Sequence, residues 1–135
     1  MSRPALAVRD AAPRYTAPPI DQSALLARAA VRAADLLELT GEELARIIGI
    51  SPASVSRLRH GKLQLAPESK SGELAVMLLR AFRALDAVVG SRDELARAWL
   101  NAANADLDGV PRELLRQVDG LARVVGYLDA VRGAR

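Results

Sequence analysis

The chain has 135 residues, of which half are apolar and 3% aromatic, with no cysteine and a formal net charge of +3. This composition fits one compact chain or two small helical units, and it excludes a fold held by disulfides. No apolar run approaches the ~20 residues that cross a bilayer. The N-terminus also lacks the apolar core of a secretion signal, so we expect a cytoplasmic protein with no membrane partner.

Residues 1–20 contain four prolines among alanines and arginines. Such a segment cannot form a long helix and has little apolar surface to bury, so we predict a mobile arm. Its arginines Arg3, Arg9 and Arg14 suit the backbone or minor groove of DNA, with a plain solvated tail as the alternative.

From Asp21 onward, apolar residues recur every three or four positions, which predicts an amphipathic helix. We expect this helix to lead a helical unit and to pack on the segment that follows it. The predicted apolar stripe is Leu25, Leu26, Ala29, Ala33, Leu36 and Leu37.

Residues 40–62 predict two short helices joined by a tight turn. Thr40 and Glu43 have the spacing of a capping box, in which each side chain accepts from the other's backbone amide, so the first helix begins at Gly41. Gly49 suits the left-handed residue that ends this helix. The positions that form its packing face are Leu44, Ala45, Ile47 and Ile48.

The second helix of the pair begins after Ser51, because serine caps well and Pro52 is favoured at a first helical position. Val55 and Leu58 point inward, and Gly61 closes the helix. What remains outward is a thin polar and basic surface that suits a major groove. Its residues are Pro52, Ala53, Ser54, Ser56, Arg57, Arg59 and His60.

The spacing of the packing residues resembles the Xre/Cro-type helix-turn-helix of phage and bacterial repressors over about twenty residues. Those residues are Leu44, Ala45, Ile48, Gly49, Val55 and Leu58. An ordinary helical hairpin with a glycine turn is the alternative. Charge favours DNA, because residues 44–67 contain four cationic side chains and no acidic one.

The predicted base contacts lie along the outward edge of the second helix, and the predicted phosphate contacts lie toward the ends of the two helices. The base contacts are Pro52, Ala53, Ser54, Ser56 and Arg57, and the phosphate contacts are Arg46, Arg59 and Lys62. A unit of this size binds DNA weakly, so we expect a homodimer with recognition helices about 34 Å apart on a two-fold operator.

After a loop, residues from about Glu73 to Gly90 predict a core helix that joins two halves of the chain. Its apolar positions are Leu74, Met77, Leu78, Ala81, Phe82, Leu85, Val88 and Val89. A second capping box at Ser91–Glu94 predicts a further helix. The inner face expected of that helix is Leu95, Ala98 and Trp99.

Two more helices complete the prediction, and no segment has a strand pattern. Pro111 opens the first, which carries Leu114, Leu115 and Val118. Asp119 caps the last helix. This helix turns Leu121, Val125 and Leu128 inward and leaves Arg123, Asp129 and Arg132 at its margins.

Residues 98–133 resemble the C-terminal toxin-binding domain of the Xre/MbcA/ParS antitoxins. The marks are Trp99, Leu100, Asn104, Leu107, Gly109, Pro111, Leu114, Leu115 and Gly120. The chain departs from the family pattern at Ala103 and Val110. Because valine caps poorly, either Asp108 caps the Pro111 helix or that helix starts one turn differently.

The marked residues also have plain structural roles. Trp99 suits a core anchor, Asn104 a turn, and Gly109 a turn position with positive φ. We therefore expect function to depend on the surface that these residues shape, chiefly the final helix and tail.

The resemblance implies an antitoxin that pairs with a RES-domain toxin, which is an enzyme that consumes NAD. It also implies that the antitoxin represses its own promoter through the helix-turn-helix. We expect the final helix and tail to cover the toxin's NAD pocket, where a carboxylate pairs with cationic groups. The predicted toxin-binding residues are Leu121, Val125, Leu128, Asp129, Arg132 and Arg135. A solvated helix end is the alternative for these charges.

Two other classes of protein compete with an antitoxin. Catalytic activity is disfavoured, because the chain has one histidine, no cysteine, no phosphate-binding glycine loop and no metal-ligand cluster. We accordingly expect no cofactor and no metal. A stand-alone repressor, whose C-terminal half dimerises or binds a small ligand, remains open.

The predicted fold is therefore all-α, with an Xre/Cro-like helix-turn-helix bundle followed by a small helical toxin-binding domain. The predicted organisation is an arm at 1–20, a DNA-binding domain at 21–66 and a toxin-binding domain at 67–135.

Overall fold

The computed structural model describes residues 21–134, and within them the chain forms seven α-helices and no strand. The helices are α1 (Gln22–Leu36), α2 (Gly41–Ile48), α3 (Pro52–Arg59), α4 (Lys70–Val88), α5 (Asp93–Asn101), α6 (Pro111–Leu114) and α7 (Val118–Gly133). The all-helical prediction is confirmed. The predicted arm at residues 1–20 and the predicted toxin contact Arg135 lie outside the described residues.

The long helix α4 lies at the centre of the molecule. It packs on α7 along one side and on α1 and α2 along others. Leu78 and Leu85 on α4 are 0% and 2% exposed, within one apolar core that extends from Leu26 to Leu128. The domain boundary predicted after residue 66 falls in the loop before α4. The core continues across that loop, so α4 serves both halves as predicted.

The buried face of α1 differs from the predicted stripe. Leu25 is 47% exposed, whereas Ala27, Ala30 and Ala34 are buried at 4%, 0% and 0%. Because α1 contacts both α4 and α3, its alanine side is covered as well. The prediction from helical periodicity places the larger apolar residues of α1 on its buried side. The structure instead buries small alanines where α3 and α4 pack closely on α1.

The turn between α2 and α3 forms as the sequence predicts. Thr40 caps α2 within a complete capping box, and Gly49 ends it with φ 75° in the left-handed region. The Ser51 hydroxyl caps α3 by accepting from the backbone N of Ser54 at 3.1 Å, with Pro52 in the first turn. Each of these signals acts within one turn of helix, so local sequence predicts them well.

Helix α4 begins one turn before the predicted start near Glu73. The Ser69 hydroxyl caps it by accepting from the backbone N of Gly72 at 3.0 Å. A serine five residues before the first strongly apolar position therefore sets the start of the helix.

The predicted capping box at Ser91–Glu94 is wrong. Ser91 has φ 62°, its backbone N donates to the carbonyl of Asp86 at 2.8 Å, and its hydroxyl donates to the Asp86 carboxylate at 3.0 Å. Ser91 thus closes α4, and Arg92 precedes α5 without a side-chain cap.

The inner face of α5 is also displaced by one residue from the prediction. Ala96 and Leu100 are buried at 3% and 2%, whereas Leu95 is 39% exposed and Trp99 is half-buried. Ala98, the third residue predicted to point inward, is exposed.

Helix α6 begins at Pro111 as predicted, and Val110 precedes it without a side-chain cap. Asp108 does not cap this helix, since it sits in the preceding turn with φ 54°. It also occupies the positive-φ position that we predicted for Gly109. The helix spans four residues and ends at Leu114, so Val118 belongs to α7, where it is 61% exposed.

Helix α7 starts close against the end of α6. Gln117 precedes it without a side-chain cap, so the predicted cap at Asp119 is wrong and that carboxylate lies in the first turn. Gly120 allows the close approach, because a Cβ there would lie 2.1 Å from the Leu114 carbonyl oxygen.

Replacing Gly120 with alanine is expected to destabilise the fold by about 2 kcal/mol, since the clashing atom is backbone and cannot rotate away. Gly126→Ala in the same helix is the matched control, because a Cβ there meets nothing within 4 Å. That substitution is expected to stabilise by about 0.5–1 kcal/mol. Urea unfolding midpoints measure both, and equal midpoints for the two variants would contradict the prediction.

Candidate functional site

Helix α3 presents the surface predicted to read DNA. Val55 and Leu58 are 2% and 4% exposed and anchor the helix in the core. The other side chains face outward, as the periodicity predicts. Pro52, Ala53, Ser56, Arg57 and Arg59 are exposed, and Ser54 is half-buried.

Hydrogen bonds order the start of this surface. The Ser54 hydroxyl oxygen accepts from the Ser51 hydroxyl and from Nη2 of Arg57, both at 3.0 Å. The guanidinium of Arg57 is therefore held over the first turn of α3, and the residue remains exposed. A fixed guanidinium of this kind suits two parallel hydrogen bonds to a base edge.

Arg59 has an acidic partner that the sequence did not reveal. Its Nη1 lies 2.8 Å from Oδ1 of Asp35 on α1, and their side chains are 34% and 56% exposed. Because this ion pair is open to solvent, it contributes little stability. It nevertheless links the end of α3 to α1, and the Asp35 carboxylate partly neutralises the positive charge of Arg59.

Two more arginines belong to this region and were not predicted. Arg28 and Arg32 on α1 line, with Arg59, an open cleft of 330 Å³ between α1 and α3. Together they outnumber the one acid in the cleft lining, Asp35, by three to one. Their position depends on how α1 crosses α3, so no spacing along the chain indicates it.

The remaining predicted phosphate contacts lie apart from each other. Lys62 is exposed just beyond α3. Arg46 is exposed near the end of α2 and lines a cavity of 380 Å³ with Glu42, Arg112 and Arg116. Arg46 therefore lies beside the C-terminal half of the chain as well as within the helix-turn-helix.

A buried ion cluster joins the two halves of the chain at Glu43, which is 9% exposed. Arg112 on α6 donates to both carboxylate oxygens, Nε to Oε2 and Nη2 to Oε1, each at 2.7 Å. Arg116 adds a bond from Nη2 to Oε2 at 3.3 Å. The backbone N of Thr40 donates to Oε1 at 2.9 Å. One carboxylate thus completes the α2 cap and holds α6.

Arg112 makes further contacts that fix its position. Its Nη2 donates to the carbonyl oxygen of Glu38 at 2.6 Å, and its Nη1 donates to Oδ1 of Asn101 at 3.2 Å. Planar bidentate pairing of this kind is strong and directional. Because 69 residues separate Arg112 from Glu43, the sequence shows the helix cap at Thr40 and gives no sign of the ion pair.

The cluster changes the acidity of Glu43. The hydrogen bonds from Arg112 lower the pKa of its carboxyl from 4.5 to about 2, against burial, which raises it. The same contact raises the pKa of the Arg112 guanidinium. Both groups are therefore charged at neutral pH, and their attraction stabilises the contact between α2 and α6.

The C-terminal surface differs from the prediction in one respect. Leu121, Val125 and Leu128 are 0%, 5% and 1% exposed, because they hold α7 against α4. The prediction that they point inward is confirmed, and as core residues they offer no exposed surface to a toxin in this chain. Asp129 and Arg132 remain exposed at the end of α7. Oδ2 of Asp129 accepts from Nη2 of Arg80 at 3.0 Å.

The loop between α5 and α6 is fastened to α7. Oδ1 of Asn104 accepts from the backbone N of Leu107 at 3.1 Å, which confirms Asn104 as a turn former. Arg123 on α7 donates to the carbonyl of Leu107. The rings of Trp99 and Tyr127 stack with centroids 6.2 Å apart. These contacts hold the loop and α5 against the first half and middle of α7.

Within residues 21–134, no three histidine, cysteine, aspartate or glutamate side chains are grouped to hold a metal ion. No helix in that part of the chain is long and apolar enough to cross a membrane.

Both halves of the chain are similar to known protein families. Residues 18–80 match the sequence model of the antitoxin Xre-like helix-turn-helix domain. Residues 84–134 match that of the antitoxin Xre/MbcA/ParS C-terminal toxin-binding domain. No curated protein matches the chain.

A solved structure has the same arrangement. It is a chain in the crystal structure of the M. tuberculosis MbcT-MbcA toxin-antitoxin complex, with 29% sequence identity and a TM-score of 0.60. The match covers 81% of this chain and 95% of that chain.

Replacing Glu43 with glutamine is expected to destabilise the protein by about 3 kcal/mol at neutral pH, because the lowered pKa reports that much extra stabilisation of the charged form. A carboxyl whose pKa falls on folding stabilises the folded state fully at pH values above its unfolded pKa. The advantage of the parent chain should therefore disappear as pH falls from 4.5 to about 2. Glu42→Gln, an exposed neighbour, is the control. Chemical unfolding at several pH values tests this, and a difference that persists at pH 2 contradicts it.

Proposed function

This chain belongs to the Xre/MbcA/ParS antitoxin family, and from that premise we propose that it neutralises a RES-domain toxin in the cytoplasm and represses its own operon. One observation carries the proposal. A continuous apolar core joins a helix-turn-helix to a domain that matches a toxin-binding family. The chain acts by binding and has no catalytic role of its own.

The toxin half of the proposal places the end of α7 over the toxin's NAD pocket. Asp129 and Arg132 are exposed there, and the proposal includes Arg135, which follows them in the sequence. A pocket for an anionic cofactor is cationic, so the Asp129 carboxylate pairs with toxin arginines by charge-assisted hydrogen bonds. In the free chain Arg80 occupies this carboxylate. The buried Leu121, Val125 and Leu128 support the helix from beneath.

The DNA half of the proposal places α3 in the major groove of an operator. Arg57 and Ser56 contact base edges, flanked by Pro52, Ala53 and Ser54. The phosphate contacts are Arg46, Arg59 and Lys62, to which the structure adds Arg28 and Arg32 as candidates. A homodimer places two such helices on a two-fold site.

A stand-alone repressor is the second candidate function. The match of residues 84–134 to a toxin-binding domain favours the antitoxin. Co-expression with the product of the neighbouring gene, followed by size-exclusion chromatography, separates the two. Failure of any neighbouring product to co-elute would support the stand-alone repressor.

Deleting residues 129–135 is expected to weaken inhibition of the toxin's NAD consumption at least about tenfold, because it removes the charged end of α7. Leu128 is a buried side chain at 1% exposure, and residues 129–134 are exposed or half-buried. The truncated chain therefore keeps its core, which circular dichroism checks. Arg92→Ala, far along the chain on an exposed turn, is the control. Full inhibition by the truncated chain would remove this part of the proposal.

Replacing Arg57 with alanine is expected to reduce specific operator binding by about 1–3 kcal/mol if its guanidinium forks a guanine. Lys62→Ala should instead weaken binding to operator and random DNA alike and lower the salt dependence. Mobility shifts on DNA from upstream of the gene, with random DNA in parallel, measure both. An unchanged operator preference in Arg57→Ala would rule out base contact by that residue.

A further inference from the structure

A cavity of 380 Å³ lies where α2 meets α6, and its lining contains no apolar residue. Three guanidinium groups and two carboxylates dominate this α2–α6 cavity. Such a lining favours a small anion over an apolar ligand. The lining residues are Thr40, Glu42, Glu43, Arg46, Arg112 and Arg116.

The two carboxylates leave the cavity with a positive surplus. Glu43 is neutralised by Arg112, whose Nε and Nη2 donate to its two oxygens at 2.7 Å. Glu42 is exposed, so water screens its charge. Arg46 and Arg116 therefore add two cationic groups to a cavity in which one solvated acid opposes them.

Arg116 has donor groups that the fold does not use. Its Nη2 lies 3.3 Å from Oε2 of Glu43, at the long end of hydrogen-bond distances. Within residues 21–134, its Nε is the one buried side-chain polar atom with no hydrogen-bond partner. The side chain is 37% exposed, so it can turn toward a ligand. Glu43 would then keep both short bonds from Arg112, and an acceptor for Arg116 would remove the cost of an unpaired buried N–H.

Arg46 reaches the same cavity from the other half of the chain. It is exposed, and in the described part of the chain no carboxylate lies within ion-pair distance of it. Arg46 and Arg116 thus approach one space from separate elements. The oxygens of a tetrahedral phosphate point in different directions and can accept from both, whereas a planar carboxylate suits a single guanidinium.

We propose that the α2–α6 cavity binds a phosphate group between Arg46 and Arg116. Arg112 is a positioning residue, because it holds α6 and neutralises Glu43. The first helix of a helix-turn-helix crosses the DNA backbone, and α2 is that helix here. A backbone phosphate of DNA is therefore the favoured source, and a small phosphorylated molecule is the other source of the same chemistry.

The DNA source rests on the proposed function, that the chain binds an operator. It adds that the C-terminal half takes part in this binding. A phosphate held by Arg46 and Arg116 bridges α2 to the segment that follows α6. The half that matches a toxin-binding family then supplies one side of a DNA contact.

The first experiment measures how DNA binding by the full-length chain depends on salt. Each neutralised phosphate contributes about 0.9 to the slope of log K against log salt concentration. Arg46→Ala and Arg116→Ala should each lower the slope by up to about 0.9. The double variant should lower it by no more than about 0.9, because both side chains hold one phosphate. Arg92→Ala removes an exposed arginine outside the cavity and should leave the slope unchanged.

A second variant improves binding and so cannot be explained by unfolding. Glu42→Gln removes the solvated acid from the cavity and should raise DNA affinity about two- to fivefold at low salt. Glu94→Gln, at an exposed acid outside the cavity, is the matched control and should change affinity less. Circular dichroism checks that every variant keeps its helix content.

The second experiment uses inorganic phosphate as the probe. Thermal unfolding of the full-length chain is measured in phosphate and in chloride at equal ionic strength. Phosphate raises the midpoint of most proteins by exclusion from their surface. The informative quantity is therefore the difference between proteins. The rise should be larger for the parent chain and Arg92→Ala than for Arg46→Ala or Arg116→Ala.

The outcomes separate the two sources from failure. Reduced, non-additive slopes assign the site to the DNA backbone. Unchanged slopes with a phosphate shift specific to the parent chain assign it to a small phosphorylated molecule. Additive slopes that total about 1.8 would overturn a shared phosphate, and so would unchanged slopes without a specific shift. Loss of toxin inhibition alone in Arg116→Ala would assign the cavity to the toxin and overturn the proposal.

Failure of the proposed function gives a different result. A parent chain that binds no DNA would contradict the DNA half of that function, while the phosphate titration still tests the cavity. A parent chain that binds its operator, with neither variant altering the slope or the phosphate shift, would contradict the phosphate site and leave the proposed function intact.

Discussion

The pairing of Glu43 with Arg112 determines how the two halves of this chain meet. A carboxylate at 9% exposure accepts two hydrogen bonds from one guanidinium at 2.7 Å while it caps its own helix. Removing either partner would leave the other charged and desolvated, which is far more costly than losing a surface ion pair. The position of α6, and of the loop that α6 follows, therefore depends on an acid in the helix-turn-helix.

The shared helix α4 gives this ionic contact an apolar counterpart. Leu78 and Leu85 lie in one apolar core that the helix-turn-helix and α7 share. A change of packing beneath α4 is therefore expected to affect both the helix-turn-helix and α7. Residues 18–80 and 84–134 match two antitoxin domain families, and the shared core explains how the two domains adjoin without a separate linker domain.

The functional surfaces are small and are built on well-supported elements. Helix α3 has two turns, yet a serine cap and two buried side chains fix its orientation. Helix α7 is supported in the same way by Leu121, Val125 and Leu128 along its buried side. Buried positions hold each helix, and exposed charged positions remain for partners. This division corrects the predicted toxin contacts, because a side chain that packs the core cannot also lie on the surface.

Local signals in the sequence determined much of this molecule. The capping box at Thr40, the left-handed Gly49, and the serine and proline that open α3 act through hydrogen bonds within one turn, so their effect is readable from adjacent residues. Tertiary structure decided which side of α1 is buried, that Ser91 closes α4, and that Arg112 and Arg28 join the candidate sites. These features depend on how the helices pack, which brings together groups that are far apart in the chain. The spacing of residues along one sequence does not indicate such contacts.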